Sequence, residues 1–295
     1  MMRGMRVFVT GGDGQLGTAL RDTCPEPGAL VSLTSADLDI TDADRVADWG
    51  ASLRPDDLIL NCAAYTRVDD AEANIDAATA VNAVGPANLA RATAGSGARL
   101  IHLSTDYVFD GPAAPEPSGR TTPYEPTDTG GEPPSVYGRT KLAGERAVRA
   151  ADPRATIIRT AWVYTGAPES NDFVATMRRL AGERERLTVV DDQRGSPTYA
   201  HDLADGLWEV IGRDAGRGAI LHATNAGETT WYGLAREVFA VTGLDPDRVG
   251  ACGTADFPRP APRPAYSVLS SRSWTEAGLT PLRDWRDAVA AALVG

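Results

Sequence analysis

The chain has 295 residues, 42% of them hydrophobic and 23% charged, the balance of an ordinary globular protein with enough length for a large core. Its 40 acidic against 29 basic residues give a net charge of −11, so it lacks the concentrated basic face that nucleic acid or an anionic membrane requires. Three dispersed cysteines, and three histidines without metal-like spacing, argue against a disulfide framework or a zinc site and fit a reducing cytoplasm. The opening Met1–Arg6 leads into only three apolar residues, Val7–Val9, too few for a signal peptide. No apolar run approaches the roughly 20 residues of a membrane helix.

Arg6–Thr10 reads as a short strand. It runs straight into Gly11-Gly12-Asp13-Gly14-Gln15-Leu16-Gly17 and then the helical Thr18–Arg21. Glycines 11, 14 and 17 between a strand and a helix match the dinucleotide-binding pattern. Gly11 would allow the sharp turn, Gly14 the approach of backbone to a pyrophosphate, and Gly17 close packing of helix on strand. The helix N-terminus would offer N–H groups to the phosphates.

The alternation continues. Ala29–Leu33 and Asp57–Asn61 read as the second and third strands, about Asn74 to Ala94 as a helix, and Arg99–Ser104 as the fourth strand. This rhythm predicts an α/β fold, a Rossmann-type doubly wound parallel sheet covered on both faces. Ligands of such sheets lie beyond the carboxyl ends of the strands, so Gly11, Ala63 and Ser104 should converge on one crevice. The second strand ends Leu33-Thr34-Ser35, without the acid that reads the adenosine ribose hydroxyls. That removes a barrier to a 2′-phosphate, yet no arginine follows immediately; the reading leans to NADPH and leaves NADH open.

Residues 112–134 hold seven prolines. A structureless stretch this long is either a substrate-side loop or a plain connection. Beyond it stands Lys141, the only lysine of the chain, four residues after Tyr137. Positions i and i+4 share a helix face, so both side chains can point into one site. A nearby ammonium favours the phenolate and would bring the tyrosine from about 10 toward neutrality, making Tyr137 a proton donor or acceptor.

After Trp162 the alternation weakens. A helix is expected from Asn171 through Met177, a strand at Leu187–Val190, and helices at 200–212 and 230–242 with a strand Ala219–Leu221 between them. Phe257–Pro264 is proline-rich. Its Arg259 and Arg263 suit a nucleotide diphosphate, with a solvated loop as the alternative for Arg259. The expected organisation is a dinucleotide-binding domain over 1–160, with sheet completion from about 187–222. A smaller, discontinuous substrate domain would take 161–186 and 223–295.

Several long motifs run along the chain: the glycine-rich turn, Asn61-Cys62-Ala63-Ala64-Tyr65-Thr66-Arg67-Val68-Asp69, Ser104-Thr105-Asp106-Tyr107-Val108-Phe109-Asp110-Gly111, Tyr137-Gly138-Arg139-Thr140-Lys141-Leu142-Ala143-Gly144-Glu145, Arg159–Tyr164 and Asp192–Thr198. Late in the chain come Thr229-Thr230-Trp231 and Arg263–Ser267. Together they resemble the dTDP-4-dehydrorhamnose reductase family of the extended short-chain dehydrogenase/reductase superfamily. The resemblance implies a catalytic set of Thr105, Tyr137 and Lys141. Thr105 would bond the sugar near its carbonyl, Tyr137 would protonate the C4 alkoxide, and Lys141 would bind the nicotinamide ribose and hold the tyrosine pKa down. It further implies Gly14, Gln15 and Leu16 at the pyrophosphate, Asp39 and Ile40 at the adenine, and Ala63, Ala64 and Tyr65 at the middle of the cofactor. Asp106 and Trp162 would face the deoxysugar.

The implied partner is a dTDP-sugar, reduced at C4 to dTDP-L-rhamnose. Three other readings stay open: the same reduction on another nucleotide 4-keto sugar, an epimerase with tightly held NAD, and a non-catalytic cofactor-binding regulatory subunit. Some relatives hold magnesium between subunits with C-terminal acids. This chain ends Ala290–Gly295 without acids, so no metal is carried over, and a homodimer is left open without that bridge.

Overall fold

The computed structural model of the chain describes residues 4–114, 119–128 and 131–294. Residues 115–118 and 129–130 of the proline-rich stretch, with 1–3 and 295, lie outside them. β1 (Val7–Thr10) turns through the glycine-rich segment into α1 (Gln15–Asp22), followed by β2 (Leu30–Leu33), α2 (Ala43–Gly50) and β3 (Leu58–Asn61). α3 (Val68–Ala71) precedes α4 (Ile75–Thr79), which continues through a π-helical segment, Ala80–Val84, into α5 (Gly85–Ser96). This run is the helix expected from about Asn74 to Ala94. Then come β4 (Arg99–Thr105), α6 (Val136–Ala151), β5 (Thr156–Thr160) and β6 (Val163–Tyr164). α7 (Phe173–Glu183), β7 (Leu187–Val190), β8 (Arg194–Gly195), β9 (Thr198–Tyr199) and α8 (Ala200–Gly212) follow. The described chain ends with β10 (Ile220–His222), β11 (Thr229–Thr230), α9 (Trp231–Val241), β12 (Val249–Cys252), α10 (Arg272–Glu276) and α11 (Trp285–Val294).

Six strands form one parallel sheet in the order β10-β5-β4-β3-β1-β2. β1, β3, β4 and β5 are buried along their whole length, which is why they read as apolar runs rather than alternating ones. Leu60 and Ile101 pack one face against Leu20 of α1, Leu207 of α8 and Trp274 of α10. Ile59 and Leu100 pack the other against Val46 of α2, Leu89 of α5 and Val148 of α6. Each such buried side chain stabilises by about 1.5–3 kcal/mol. β2 lies on the far side of β1 from β3, so the strand order reverses at β1. Such a reversal opens a crevice at the carboxyl ends.

A second core is built by Val174 and Met177 of α7, Val238 and Phe239 of α9, and Trp285 and Val289 of α11. It is floored by β7 and β12, a parallel pair. This corrects the expected sheet completion from about 187–222: only Ile220–His222 joins the main sheet. Leu187 and Val189 are buried while Thr188 between them is exposed, so β7 has one covered face and cannot serve inside a sheet covered on both. The described part of the proline-rich stretch is anchored through Tyr124. Its ring stacks on Phe109 with centroids 4.0 Å apart, and its N–H donates to the Val268 carbonyl at 2.7 Å.

Candidate active site

The carboxyl ends of the central strands open on one cleft of about 1520 Å³. Gly11, Gly14, Gln15, Leu16, Gly17, Asp39, Ile40, Ala63, Ala64, Thr105, Asp106, Tyr137, Lys141, Trp162 and Arg263 all line it. Of the residues singled out in the sequence, Tyr65 alone is not among the lining residues. Its backbone N–H and C=O are both taken by the Asn82 side chain, at 2.8 and 3.2 Å, and its ring packs beside Ala71, Ala78 and Val136.

At the mouth of β1, Gly11 has φ +68°, and a Cβ there would lie 2.8 Å from the Ala63 backbone. Only glycine meets both demands. A Cβ on Gly17 would lie 2.5 Å from the Gly11 carbonyl oxygen, so α1 is seated directly on the turn. α1 begins without a side-chain cap and without an acid in its first turn, leaving its positive end for an anion. Gln15 reaches across the cleft, its side-chain amide donating to Ser170 at 3.1 Å.

α6 starts where Pro133 and Pro134 forbid helix and Ser135 caps the first turn, accepting from the Gly138 N–H at 3.1 Å. That start puts Tyr137 in the first turn and Lys141 one turn on. Thr105, at the end of β4, lines the cleft together with Tyr137 and donates to Asp106 Oδ1 at 2.9 Å. The Lys141 ammonium donates to the Leu103 carbonyl at 2.7 Å. Burial brings Lys141 down to about 8, opposed by the Glu145 carboxylate one turn further along. Burial likewise pushes Tyr137 up to about 12, opposed by the nearby Thr105 side chain. The expectation of a tyrosine near neutrality is therefore corrected: desolvation of the phenol outweighs any help from an ammonium that is itself buried and bonded to a carbonyl. Tyr137 is protonated at neutral pH, the state a proton donor needs.

Beyond the tyrosine, burial raises the Asp106 carboxyl to about 6, against the Ser267 and Thr105 side chains that favour its ionised form. Asp106 Oδ2, Ser104 Oγ and Thr160 Oγ1 are buried without hydrogen-bond partners, and all three residues line the cleft. Unsatisfied buried oxygens cost about 1–3 kcal/mol each, a cost that a ligand's hydroxyls can relieve. Trp162 sits at φ +48°, a conformation that costs about 1–3 kcal/mol for a residue other than glycine. Its indole stacks on Trp231, ring centroids 3.6 Å apart and planes 9° from parallel.

Arg263 is placed differently from its expected role. Both its terminal nitrogens bond the Asp69 carboxylate, at 2.5 and 3.0 Å, so the fork expected to hold a diphosphate already holds a carboxylate. Arg259, 54% exposed and 3.7 Å from the same carboxylate, is the freer cation. Arg184 and Arg186 also line the cleft. Sequence reasoning passed over both, because nothing in the pattern sets an arginine beside a strand apart from a solvated one. It also passed over Asn82, fully buried on the π-helical segment, where it donates to Thr140 of α6 at 3.1 Å and clamps the Tyr65 backbone. A polar residue inside an alanine-rich helix is the signal that could have found it. Among the described residues, no group of three His, Cys, Asp or Glu side chains could hold a metal ion.

The family model described as RmlD substrate binding domain matches residues 5–294. A dTDP-4-dehydrorhamnose reductase of Mycobacterium tuberculosis strain H37Rv is 54% identical over 99% of this chain and 93% of its own length. A probable dTDP-4,6-dihydroxy-2-methyloxan-3-one 4-ketoreductase of Streptomyces antibioticus is 47% identical over 97% of this chain and 93% of its own. Among solved structures, the dTDP-4-dehydrorhamnose reductase of Bacillus anthracis in complex with NADP is 34% identical, with TM-score 0.87 and 98% of each chain covered.

Proposed function

The chain belongs to the dTDP-4-dehydrorhamnose reductase family, and we propose that it uses NADPH to reduce the C4 ketone of dTDP-4-dehydro-6-deoxy-L-mannose, giving dTDP-L-rhamnose. The observation that carries this is the meeting of Thr105, Tyr137 and Lys141 in the cleft that also holds the glycine-rich turn. The dinucleotide suits these residues: the Gly11 turn and the uncapped, acid-free start of α1 leave backbone N–H groups for a pyrophosphate. The NADP of the Bacillus anthracis relative supports the choice of cofactor.

When bound, NADPH supplies the hydride. The chain's part is to orient the ketone and deliver a proton. Thr105 fixes the carbonyl beside the phenol, and Tyr137, held protonated by its burial, gives its proton to C4 oxygen as charge develops there. Lys141, charged below about pH 8, keeps a positive centre near the phenolate left behind. Asp106 and Trp162 take the sugar, and Arg259 takes the diphosphate. We assign the sheet-bearing segments, with α10 packed on them, to the dinucleotide, and the second core, with residues 161–186 and the rest of 223–295, to the sugar nucleotide.

A second reading is the same reduction on another nucleotide 4-keto sugar, favoured by the 47% identical 4-ketoreductase relative. The test is NADPH oxidation with dTDP-4-dehydro-6-deoxy-L-mannose, run beside Tyr137→Phe. Turnover to dTDP-L-rhamnose that disappears in the variant supports the first reading. A folded, NADPH-binding protein that leaves this sugar untouched overturns it and turns the search to other 4-keto sugars.

A further inference from the structure

Trp162 is held from several directions by short elements. It immediately precedes β6, which pairs with β9, and its carbonyl accepts from the Thr198 N–H at 3.2 Å. β8 carries Gly195 against the indole: a Cβ on Gly195 would lie 2.6 Å from Cε2 and Cζ2 of Trp162 and 2.9 Å from Nε1. β8 pairs with β11, and β11 runs directly into Trp231, the first residue of α9. The α9 start is fixed by Thr230, whose hydroxyl accepts from the Gly233 N–H at 3.1 Å and donates to Asp191 at 2.5 Å. Trp231 is backed in turn by Phe173, ring centroids 4.6 Å apart. Two ladders of two residues each thus bring a glycine and a second indole onto one tryptophan.

The backbone of Trp162 is strained. At φ +48° it sits in a conformation unfavourable for a residue other than glycine, and its carbonyl is held by the Thr198 N–H. The parallel stack at 3.6 Å and the close approach of Gly195 confine the ring. Stacking also removes one face of Trp162 from the cleft, so the sugar meets only what Trp231 leaves uncovered.

We infer that Trp231 is a positioning residue for sugar recognition: by stacking on Trp162, with Gly195 against the same ring, it sets the plane and the free surface that Trp162 offers to the deoxysugar. This rests on the proposed function, since it assumes a 4-keto sugar in that part of the cleft. Trp231 does not take part in proton or hydride transfer. Its loss should be read in substrate affinity, leaving the cofactor untouched.

The experiment compares Trp231→Leu, Trp231→Phe and Gly195→Ala with the wild type in steady-state kinetics, with NADPH affinity measured separately by fluorescence titration. Trp231→Leu removes the stacking surface, and Gly195→Ala drives a methyl into the Trp162 ring. Both are expected to raise KM for the 4-keto sugar about tenfold or more, with kcat within about threefold and NADPH affinity within about twofold of wild type. Trp231→Phe, which keeps a flat ring, is expected to recover most of the affinity. Near-UV circular dichroism should lose the same paired-indole signal in Trp231→Leu as in Trp162→Phe. An unchanged sugar KM in Trp231→Leu overturns the inference, as does a parallel loss of NADPH affinity and thermal stability, which would mark Trp231 as general scaffolding. A wild-type protein that binds NADPH but turns over no 4-keto sugar overturns the proposed function, and this inference with it.

Discussion

The Lys141 ammonium donates to the Leu103 carbonyl at 2.7 Å, and that bond ties α6 to the strand that ends in Thr105. Tyr137 rides on the same helix four residues earlier, so this bond helps to hold Tyr137 and Thr105 in one cleft. Arginine would carry the charge, but its planar fork is too bulky for a site made for one compact ammonium. Lys141→Arg is expected to lower kcat/KM about a hundredfold or more despite keeping the charge. Steady-state kinetics on protein of unchanged thermal stability would check this.

The same lysine gives a pH dependence with a definite sign. Burial lowers it to about 8, so the charged form prevails below pH 8 and is lost above. The kcat/KM of the reductive reaction should fall on an alkaline limb near pH 8, well before an ordinary lysine would titrate. Tyr137, raised to about 12, contributes no limb below pH 10. A profile flat to pH 10 would contradict this assignment.

Tyr137→Phe removes the proton but little volume. A drop in kcat of about 10²–10⁴ is expected, the range of a lost general acid, with NADPH binding unchanged. Single-turnover kinetics with bound cofactor would separate the two effects.

Glu145 and Arg159 are buried together and joined by two hydrogen bonds, at 2.8 and 2.7 Å. Arg159→Met leaves the carboxylate without its counter-ion in the interior. A loss of about 3–5 kcal/mol is expected, read as a lower denaturant midpoint with unchanged slope.

Arg259 and Arg263 should separate in their effects. Arg263 is committed to Asp69, so Arg263→Ala should cost about 1.5–3 kcal/mol of stability. Arg259 is more exposed, so Arg259→Ala should leave stability within about 0.5 kcal/mol and raise KM for the dTDP-sugar. Thermal unfolding and kinetics on the two variants would show the contrast.

The sheet was legible because its strands are buried on both faces and carry that fact as unbroken apolar runs, and because the Gly11–Gly17 turn has few other uses. β7 was misassigned since a four-residue strand looks the same whether it joins one sheet or another; pairing is decided by contacts distant in sequence, here with Val249–Cys252. The residues expected at the cleft were found there apart from Tyr65, which is drawn to Asn82 on a helix whose π-helical turn leaves no mark in composition. Arg263, expected at a nucleotide diphosphate, is instead paired with a carboxylate of the chain itself. Its acidic partner, Asp69, stands 194 residues away, and no local pattern links the two.

Lys141 is the chain's single ε-amine, and it is 2% exposed. An acylating reagent aimed at amines can modify that side chain only in molecules where α6 has parted from β4. Peptide mapping of one position would then report the fraction of molecules in which the cleft has opened, from a single modified side chain. If NADPH and the sugar nucleotide close the chamber, they should slow this clock in proportion to their occupancy.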